Sequence, residues 1–250
     1  MTEHFRPRRS VLYMPAANER ALEKAKSIPC DAIIFDLEDA VAPDAKQQAR
    51  TQAVDAVASG EYGDRELTIR ANGLDTEWGA DDLAAIATSG AAAVVVPKVS
   101  GGLHLDAVST LLDEAGAPPE MTIWPMVETP AAIFAAREIA AFGRASVLVI
   151  GTNDLARELH AQLVPGRHPL VPHLATALAA AREAGKAIVD GVFNDVKDPE
   201  GFAAECRQGF ELGFDGKTLI HPSQVEPANE VWAPDADEID HAQRVIAAFD

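Results

Sequence analysis

Eight short apolar segments recur along this chain, and each is followed by a polar or proline-containing turn and then by a helix-like segment. A short apolar run without alternation is typical of a strand that is buried on both faces, as in a parallel sheet. Alternating strands and helices imply helical crossovers. Eight such units predict an α/β fold, the closed (β/α)8 barrel, with strands near residues 11–14, 32–36, 67–70, 93–97, 122–127, 146–150, 187–190 and 217–220.

Length and charge restrict the class of protein further. A chain of 250 residues fits one barrel domain spanning residues 1–250. A net charge of −18 argues against nucleic-acid binding, because no basic stripe is available to neutralise phosphates. We expect no secretory signal and no membrane span, and we interpret Cys30 and Cys206 as reduced packing residues of a cytoplasmic protein.

Two acids follow the fifth and sixth predicted strands. Glu128 ends the run beginning at Ile123, and Asp154 follows the run ending at Ile150. Neighbouring strands lie roughly 5 Å apart, so both carboxylates can reach one point above the barrel. Two carboxylates plus waters suit Mg²⁺. The alternative is that each acid only favours a helix N-terminus through the helix dipole, and spacing alone leaves both interpretations open.

A dense acidic turn follows the second predicted strand. Asp36, Glu38 and Asp39 repel one another unless cations or N–H groups satisfy them, and Arg70, at the end of the next strand, is the natural counter-charge. Arg70 is then held in place to face a substrate oxyanion or carboxylate. A purely structural network of ion pairs is the competing interpretation.

Other candidate residues carry weaker signals. Arg20 and Lys24 share a helix face by their i,i+4 spacing, which fits either a grip on phosphates or a solvated surface. Asp190 and His221 end the last two predicted strands. A loop over residues 163–173 is rich in Pro, Gly and His. The sequence contains no dinucleotide fingerprint, P-loop, HExxH or GxSxG motif.

Local signals also predict where helices begin and end. Asn18 and Thr129 are expected N-caps, the latter of a helix running through Phe142. Pro43 is expected near a helix start, and Gly213 just after a helix end.

Seven motifs in order together resemble one family. The chain is similar to the citrate lyase β-subunit-like CoA ester lyases, which include malyl-CoA and citramalyl-CoA lyases of the HpcH/HpaI aldolase group. The resemblance runs from Ser10 to about Phe249 and rests on residues 35–43, 70–76, 96–98, 127–130, 151–155, 189–192 and 213–224.

This resemblance implies a (β/α)8 barrel, usually a homotrimer, that binds Mg²⁺ on Glu128 and Asp154. It implies that Arg70 faces the oxygen of the keto acid and its developing charge. It also implies that Arg20 and Lys24 bind the phosphates of coenzyme A.

The resemblance gives roles to the residues around Arg70 as well. Glu38 and Asp39 match acids that hold Arg70 and the waters of the metal, so we expect these three residues to form the catalytic set. Together with Arg70, Pro97 and Lys98 are expected to contact the substrate.

The expected reaction is cleavage of a 3-hydroxy-dicarboxylyl-CoA ester. Breaking the C2–C3 bond yields a 2-oxo acid and acetyl- or propionyl-CoA. Relatives continue into a short lid carrying an Asp that acts as acid or base in a neighbouring subunit. The sequence stops at Asp250, before that segment, so we expect the lid to be absent or trimmed.

Three alternatives remain open at this point. The first is a citrate lyase β-subunit that acts on an acyl-carrier-protein thioester. The second is a Mg²⁺-dependent aldolase for free hydroxy-keto acids, and the third a non-catalytic protein that binds CoA or a keto acid.

Overall fold

A computed structural model of the chain describes residues 6–249, and its sheet confirms the predicted barrel. Every strand is parallel to its neighbours, and β1 pairs with β8 to close the sheet in the order β1-β2-β3-β4-β5-β6-β7-β8. The strands are β1 (Ser10–Pro15), β2 (Ala32–Asp36), β3 (Glu66–Arg70), β4 (Ala93–Val96), β5 (Thr122–Val127), β6 (Val147–Ile150), β7 (Ala187–Asp190) and β8 (Gly216–Leu219).

Helices surround the barrel, and at least one follows each strand. Over residues 6–249 these are α1 (Glu19–Ala25), α2 (Lys46–Ala58), α3 (Gly79–Ala87), α4 (Gly102–Glu114), α5 (Pro130–Phe134), α6 (Ala136–Ala141), α7 (Thr152–Glu158), α8 (Val171–Glu183), α9 (Pro199–Leu212), α10 (Val225–Val231) and α11 (Ala236–Phe249). Short 3₁₀ turns, each beginning at a proline, precede α2, α8 and α10.

The predicted helix ends are largely confirmed. The Asn18 side chain accepts a hydrogen bond from the Ala21 N–H at 3.1 Å, and the Thr129 hydroxyl accepts one from the Ala132 N–H at 3.0 Å. Gly213 closes α9 with φ of 101°, a left-handed conformation in which glycine meets no steric penalty. The single helix predicted from Thr129 through Phe142 is wrong, because Ala135, at φ −93° and ψ 5°, separates α5 from α6.

The barrel interior is apolar through its lower layers. Val11, Ile34, Val95 and Trp124 belong to the interior cluster and are inaccessible to solvent. A larger cluster fills the space between the strands and the helices. The apolar interior is capped by polar side chains at the carboxyl ends of the strands, where active sites of such barrels lie.

A second group of charges is buried outside the barrel, between its strands and α9. The fully buried Asp190 carboxylate accepts hydrogen bonds from Lys217 Nζ at 3.0 Å and from Arg167 Nη1 at 2.7 Å. Glu205 also contacts Lys217, at 2.8 Å. Burial raises the pKa of Asp190, but Lys217 and Arg167 outweigh it and hold that pKa below its ordinary value. This cluster fixes α9 and the 165–167 turn to the barrel.

Two further observations concern packing and membranes. Cys30 and Cys206 are both buried and free, in line with the prediction that they pack as thiols. Over residues 6–249, no helix combines the length and the apolar composition that crossing a bilayer demands.

The buried charges predict a large stability cost for Asp190→Asn. Removing one partner leaves Lys217 and Arg167 incompletely neutralised, so we expect a loss of about 3–5 kcal/mol in the free energy of unfolding at pH 7, measured by urea denaturation. Because the folded-state pKa of Asp190 is lowered, its contribution is complete above the unfolded pKa of about 3.9 and is lost as pH falls through the folded value. The difference between wild type and variant should therefore shrink in acid.

Glu183→Gln is the matched control for this measurement. Glu183 pairs with Arg137 at 2.6 Å, but both side chains are exposed, so its loss should cost no more than about 1 kcal/mol. Equal destabilisation by the two substitutions would contradict a stabilising role for the buried cluster.

Candidate active site

A cavity of about 420 Å³ opens at the carboxyl ends of the strands. Its walls come from the ends of β1, β2, β3, β5, β6 and β8, from the start of α7 and from the loop that follows β7. Arg70, Glu128 and Asp154 are among the residues that line it. Sequence positions far apart are thus brought to one concave surface, the default location of a ligand in this fold.

Arg70 is fixed by the acid on the neighbouring strand. Asp36 and Arg70 are register partners in β2 and β3, so both side chains point into the barrel. Arg70 Nε donates to Asp36 Oδ1 at 2.7 Å, and Nη2 donates to Oδ2 at 2.6 Å. Asp36 also accepts backbone N–H bonds from Glu38 and Ala40. A bidentate pair of this kind holds the guanidinium plane in one orientation.

The remaining acids of the turn complete this arrangement. Glu38 Oε2 lies 2.7 Å from Arg70 Nη1, and Asp39 Oδ2 lies 3.5 Å from the same atom. Burial raises the pKa of Asp36, but Arg70 and the two backbone donors outweigh it and hold that pKa below its ordinary value. For Glu38 burial prevails over Arg70, and its pKa is raised. The predicted association of these three acids with Arg70 is therefore present in the structure.

Glu128 and Asp154 face the same cavity. Glu128 is buried, and its Oε1 accepts a hydrogen bond from the backbone N–H of Lys98 at 2.7 Å. Burial, reinforced by the nearby Glu38 and Asp154, raises the pKa of Glu128 to about 7, although the Lys98 N–H opposes the shift. Asp154 is half-buried and pairs with Arg157 at 2.9 Å.

Both carboxylates fit a hard divalent cation. No group of three or more His, Cys, Asp or Glu side chains in residues 6–249 is arranged as a metal site. An ion held by Glu128 and Asp154 would take its remaining ligands from water or substrate oxygens. That donor set suits Mg²⁺, which keeps several waters and requires oxygen ligands. Burial is the main cause of the raised pKa of Glu128, and a bound cation would favour the ionised carboxylate.

Glycine at position 151 makes room for Glu128. A Cβ built on Gly151 would lie 2.5 Å from the Cβ of Glu128 and closer still to its Oε2. Real Cβ atoms do not approach so closely, so any larger residue here displaces the carboxylate. The sequence displays this glycine after β6, but only the folded structure reveals which side chain lies against it.

Two expected substrate contacts lie beside the cavity rather than in its lining. Pro97 is buried and is not among the residues that line the cavity. Lys98 is exposed, with Nζ 3.4 Å from Glu38 Oε1 and 4.0 Å from Asp154 Oδ2. Its backbone adopts φ of 48°, a left-handed conformation that is uncommon for a residue with a side chain. In this structure Lys98 therefore lies between Glu38 of the acidic turn and Asp154 of the expected metal pair.

The expected phosphate grip lies outside the cavity. Arg20 and Lys24 are exposed on α1, the helix that follows β1. Neither residue is part of the cavity lining, so their expected role concerns a ligand that extends beyond it.

A pair of amides that sequence reasoning missed spans the cavity mouth. Asn153 Nδ2 donates to Asn194 Oδ1 at 3.1 Å, and Asn194 Nδ2 donates back to Asn153 Oδ1 at 2.8 Å. Both residues are exposed and line the cavity. They join the start of α7 to the loop after β7.

The other two strand-end candidates have structural contacts. Asp190 points away from the cavity into the buried charge cluster described above. The His221 ring accepts a hydrogen bond from the Ser223 N–H at 3.2 Å, and its Nδ1 lies 2.8 Å from the Ser223 hydroxyl. His221 thereby caps the 3₁₀ turn before α10.

Known proteins resemble this chain over most of its length. The family model described as HpcH/HpaI aldolase/citrate lyase matches residues 9–222. A (3S)-malyl-CoA thioesterase of Cereibacter sphaeroides (strain ATCC 17023) is 50% identical over 250 residues, which is 100% of this chain and 86% of the relative. Citrate lyase subunit beta of Escherichia coli (strain K12) is 36% identical over 97% of this chain and 82% of the relative.

A solved structure has the same fold. Protein CitE from Mycobacterium tuberculosis, in complex with magnesium, acetoacetate and coenzyme A, superposes with a TM-score of 0.78 at 29% identity. The match covers 97% of this chain and 86% of that one.

The contact at Gly151 predicts that Gly151→Ala weakens Mg²⁺ binding. The added methyl group displaces the Glu128 carboxylate, and changes that misplace a ligand in this way typically cost about 10- to 100-fold in metal affinity. Isothermal titration calorimetry with Mg²⁺ measures this loss. Gly143→Ala is the control, because its added Cβ has no atom within 4 Å. Equal Mg²⁺ affinity in the two variants would contradict the assignment of Glu128 as a ligand.

Proposed function

This chain belongs to the HpcH/HpaI aldolase/citrate lyase family, and on that premise we propose that it is a Mg²⁺-dependent carbon–carbon lyase. Its proposed substrate is a 3-hydroxy-dicarboxylyl-CoA ester of the malyl-CoA type, cleaved to a 2-oxo acid and acetyl- or propionyl-CoA. The observation that carries the proposal is the cavity in which two carboxylates, Glu128 and Asp154, share one surface with the buried Arg70.

Magnesium is the proposed cofactor, held by Glu128 and Asp154. The related CitE structure contains magnesium together with acetoacetate and coenzyme A, which supports this choice of ion and of ligand class. When bound, the ion supplies Lewis-acid polarisation of a substrate oxygen and orients the substrate.

Besides the metal, the chain's own residues supply a positive charge, that of Arg70, and the carboxylates that hold it in place. Arg70 offers a fixed positive charge to the carboxylate or oxo oxygen of the acid fragment, where negative charge must be offset. Asp36 and Glu38 hold the guanidinium before substrate arrives, so no reorganisation is required during the reaction. Outside the cavity, Arg20 and Lys24 are proposed to bind the phosphates of the CoA part.

Thioester hydrolysis is a second candidate, and a specific observation favours it. The (3S)-malyl-CoA thioesterase is 50% identical across the whole chain. Hydrolysis of malyl-CoA breaks the bond between the acyl carbon and sulfur instead of the C2–C3 bond, so it requires the same ligand in the same cavity. It releases malate and free CoA, whereas the lyase releases glyoxylate and acetyl-CoA.

Mass spectrometry of the reaction products separates these two reactions. The isolated protein is incubated with malyl-, methylmalyl- or citramalyl-CoA, with and without Mg²⁺. We expect Mg²⁺-dependent formation of an oxo acid and a shorter acyl-CoA. Release of malate and free CoA from malyl-CoA would instead show that the protein acts as a thioesterase and not as a lyase. Turnover of only a carrier-protein thioester would instead favour the function of a citrate lyase β-subunit. The Escherichia coli citrate lyase subunit beta is 36% identical to this chain.

Substitution of either carboxylate should abolish most of the Mg²⁺-dependent turnover. We expect Glu128→Gln and Asp154→Asn each to lower kcat by about 10²-fold or more, because the charge that holds the cation is lost. Glu158→Gln is the matched control, since Glu158 is an exposed acid on the same helix as Asp154. Wild-type turnover in either test variant would overturn the proposed metal site.

A further inference from the structure

The phenol of Tyr13 lies on the floor of the cavity. Tyr13 is in β1, where its register partner is Ile34, a member of the barrel-interior cluster. Two residues later, Pro15 is level with Asp36. Tyr13 thus occupies the layer directly below the charged one, and its half-buried side chain lines the cavity.

Only a weak partner faces the hydroxyl of Tyr13. Its nearest hydrogen-bonding contact within the described residues is Met126 Sδ at 3.9 Å, and a thioether sulfur is a weak acceptor. The other tyrosine of the chain differs in this respect. The hydroxyl of Tyr62 donates to the backbone oxygen of Leu22 at 3.0 Å. Tyrosines in protein interiors usually find such a partner, so the hydroxyl of Tyr13 retains a donor for a ligand.

Arg70, directly beside Tyr13, has few donors left. The guanidinium carbon lies 5.0 Å from the centre of the Tyr13 ring, a cation–π arrangement. Arg70 Nε and Nη2 donate to Asp36, and Nη1 contacts Glu38. A ligand oxygen next to Arg70 therefore meets a guanidinium that is largely engaged by carboxylates. Sites that stabilise an anionic oxygen commonly supply more than one donor.

We propose that Tyr13 is a ligand-contacting residue whose hydroxyl donates a hydrogen bond to the oxo oxygen of the 2-oxo acid, the oxygen that Arg70 faces. In the intact ester this atom is the 3-hydroxyl oxygen. The identity of the ligand rests on the proposed function, whereas the weakly partnered hydroxyl is a property of this chain. A phenylalanine would fill the same space and keep the contact with Arg70, but it would lack the donor.

Paired ligands test this inference without any turnover. Pyruvate and propionate share a carbon skeleton and a carboxylate, and only pyruvate has the oxo oxygen. Their dissociation constants are measured by NMR titration at saturating Mg²⁺ for wild type, Tyr13→Phe and Tyr62→Phe. We expect Tyr13→Phe to weaken pyruvate binding about three- to tenfold, the effect of one lost hydrogen bond, and to leave propionate binding unchanged.

Tyr62→Phe controls for the loss of a tyrosine hydroxyl as such. It removes a hydrogen bond to Leu22, so it should lower the melting temperature while both dissociation constants stay at wild-type values. Undiminished pyruvate binding by Tyr13→Phe would overturn the inference, as would an equal loss for propionate. If wild type binds pyruvate but cleaves no acyl-CoA, the proposed function fails and the Tyr13 comparison still decides this inference.

Discussion

An excess of carboxylates over cations at the mouth of the barrel is the constraint on which the cavity depends. The acids there are Asp36, Glu38, Asp39, Glu128 and Asp154. Over the described residues, Arg70, Lys98 and Arg157 form ion pairs with all of them except Glu128, which accepts a hydrogen bond from the backbone N–H of Lys98. Asp36 is fully matched by Arg70, but burial raises the pKa of Glu128 to about 7. Among the described residues no cationic side chain pairs with Glu128, and a divalent cation held by Glu128 and Asp154 would supply that missing positive charge.

Much of this arrangement could be predicted from the sequence, because it depends on local pattern and strand order. Eight apolar runs predict the barrel. Because all strands of the closed barrel are parallel, the residues that follow them lie at the same end of it. The association of Asp36 with Arg70 followed from their places at the ends of consecutive strands, and the structure makes them register partners. The convergence of Glu128 and Asp154 on one cavity followed in the same way.

The remainder depends on contacts that no local pattern specifies. In the sequence Gly151 is an ordinary turn glycine, and only the structure shows that Glu128 packs against it. Lys98 adopts a left-handed conformation and donates its backbone N–H to Glu128, and neither feature has a local sequence signal. Arg167 comes from a segment that the sequence indicates only as a Pro- and Gly-rich loop, yet its guanidinium is buried against Asp190. That the hydroxyl of Tyr13 has only a weak partner, Met126 Sδ, is likewise known only from the folded structure.

The central claim, that Glu128 and Asp154 together bind one divalent cation, is tested most directly by anomalous diffraction. Crystals of the protein grown with Mn²⁺ in place of Mg²⁺ would be measured for anomalous difference density. We predict a single peak in the cavity at coordination distance, about 2.1 Å, from one oxygen of each carboxylate. At saturating Mn²⁺, an empty barrel mouth, or a peak bound by other residues, would contradict the claim.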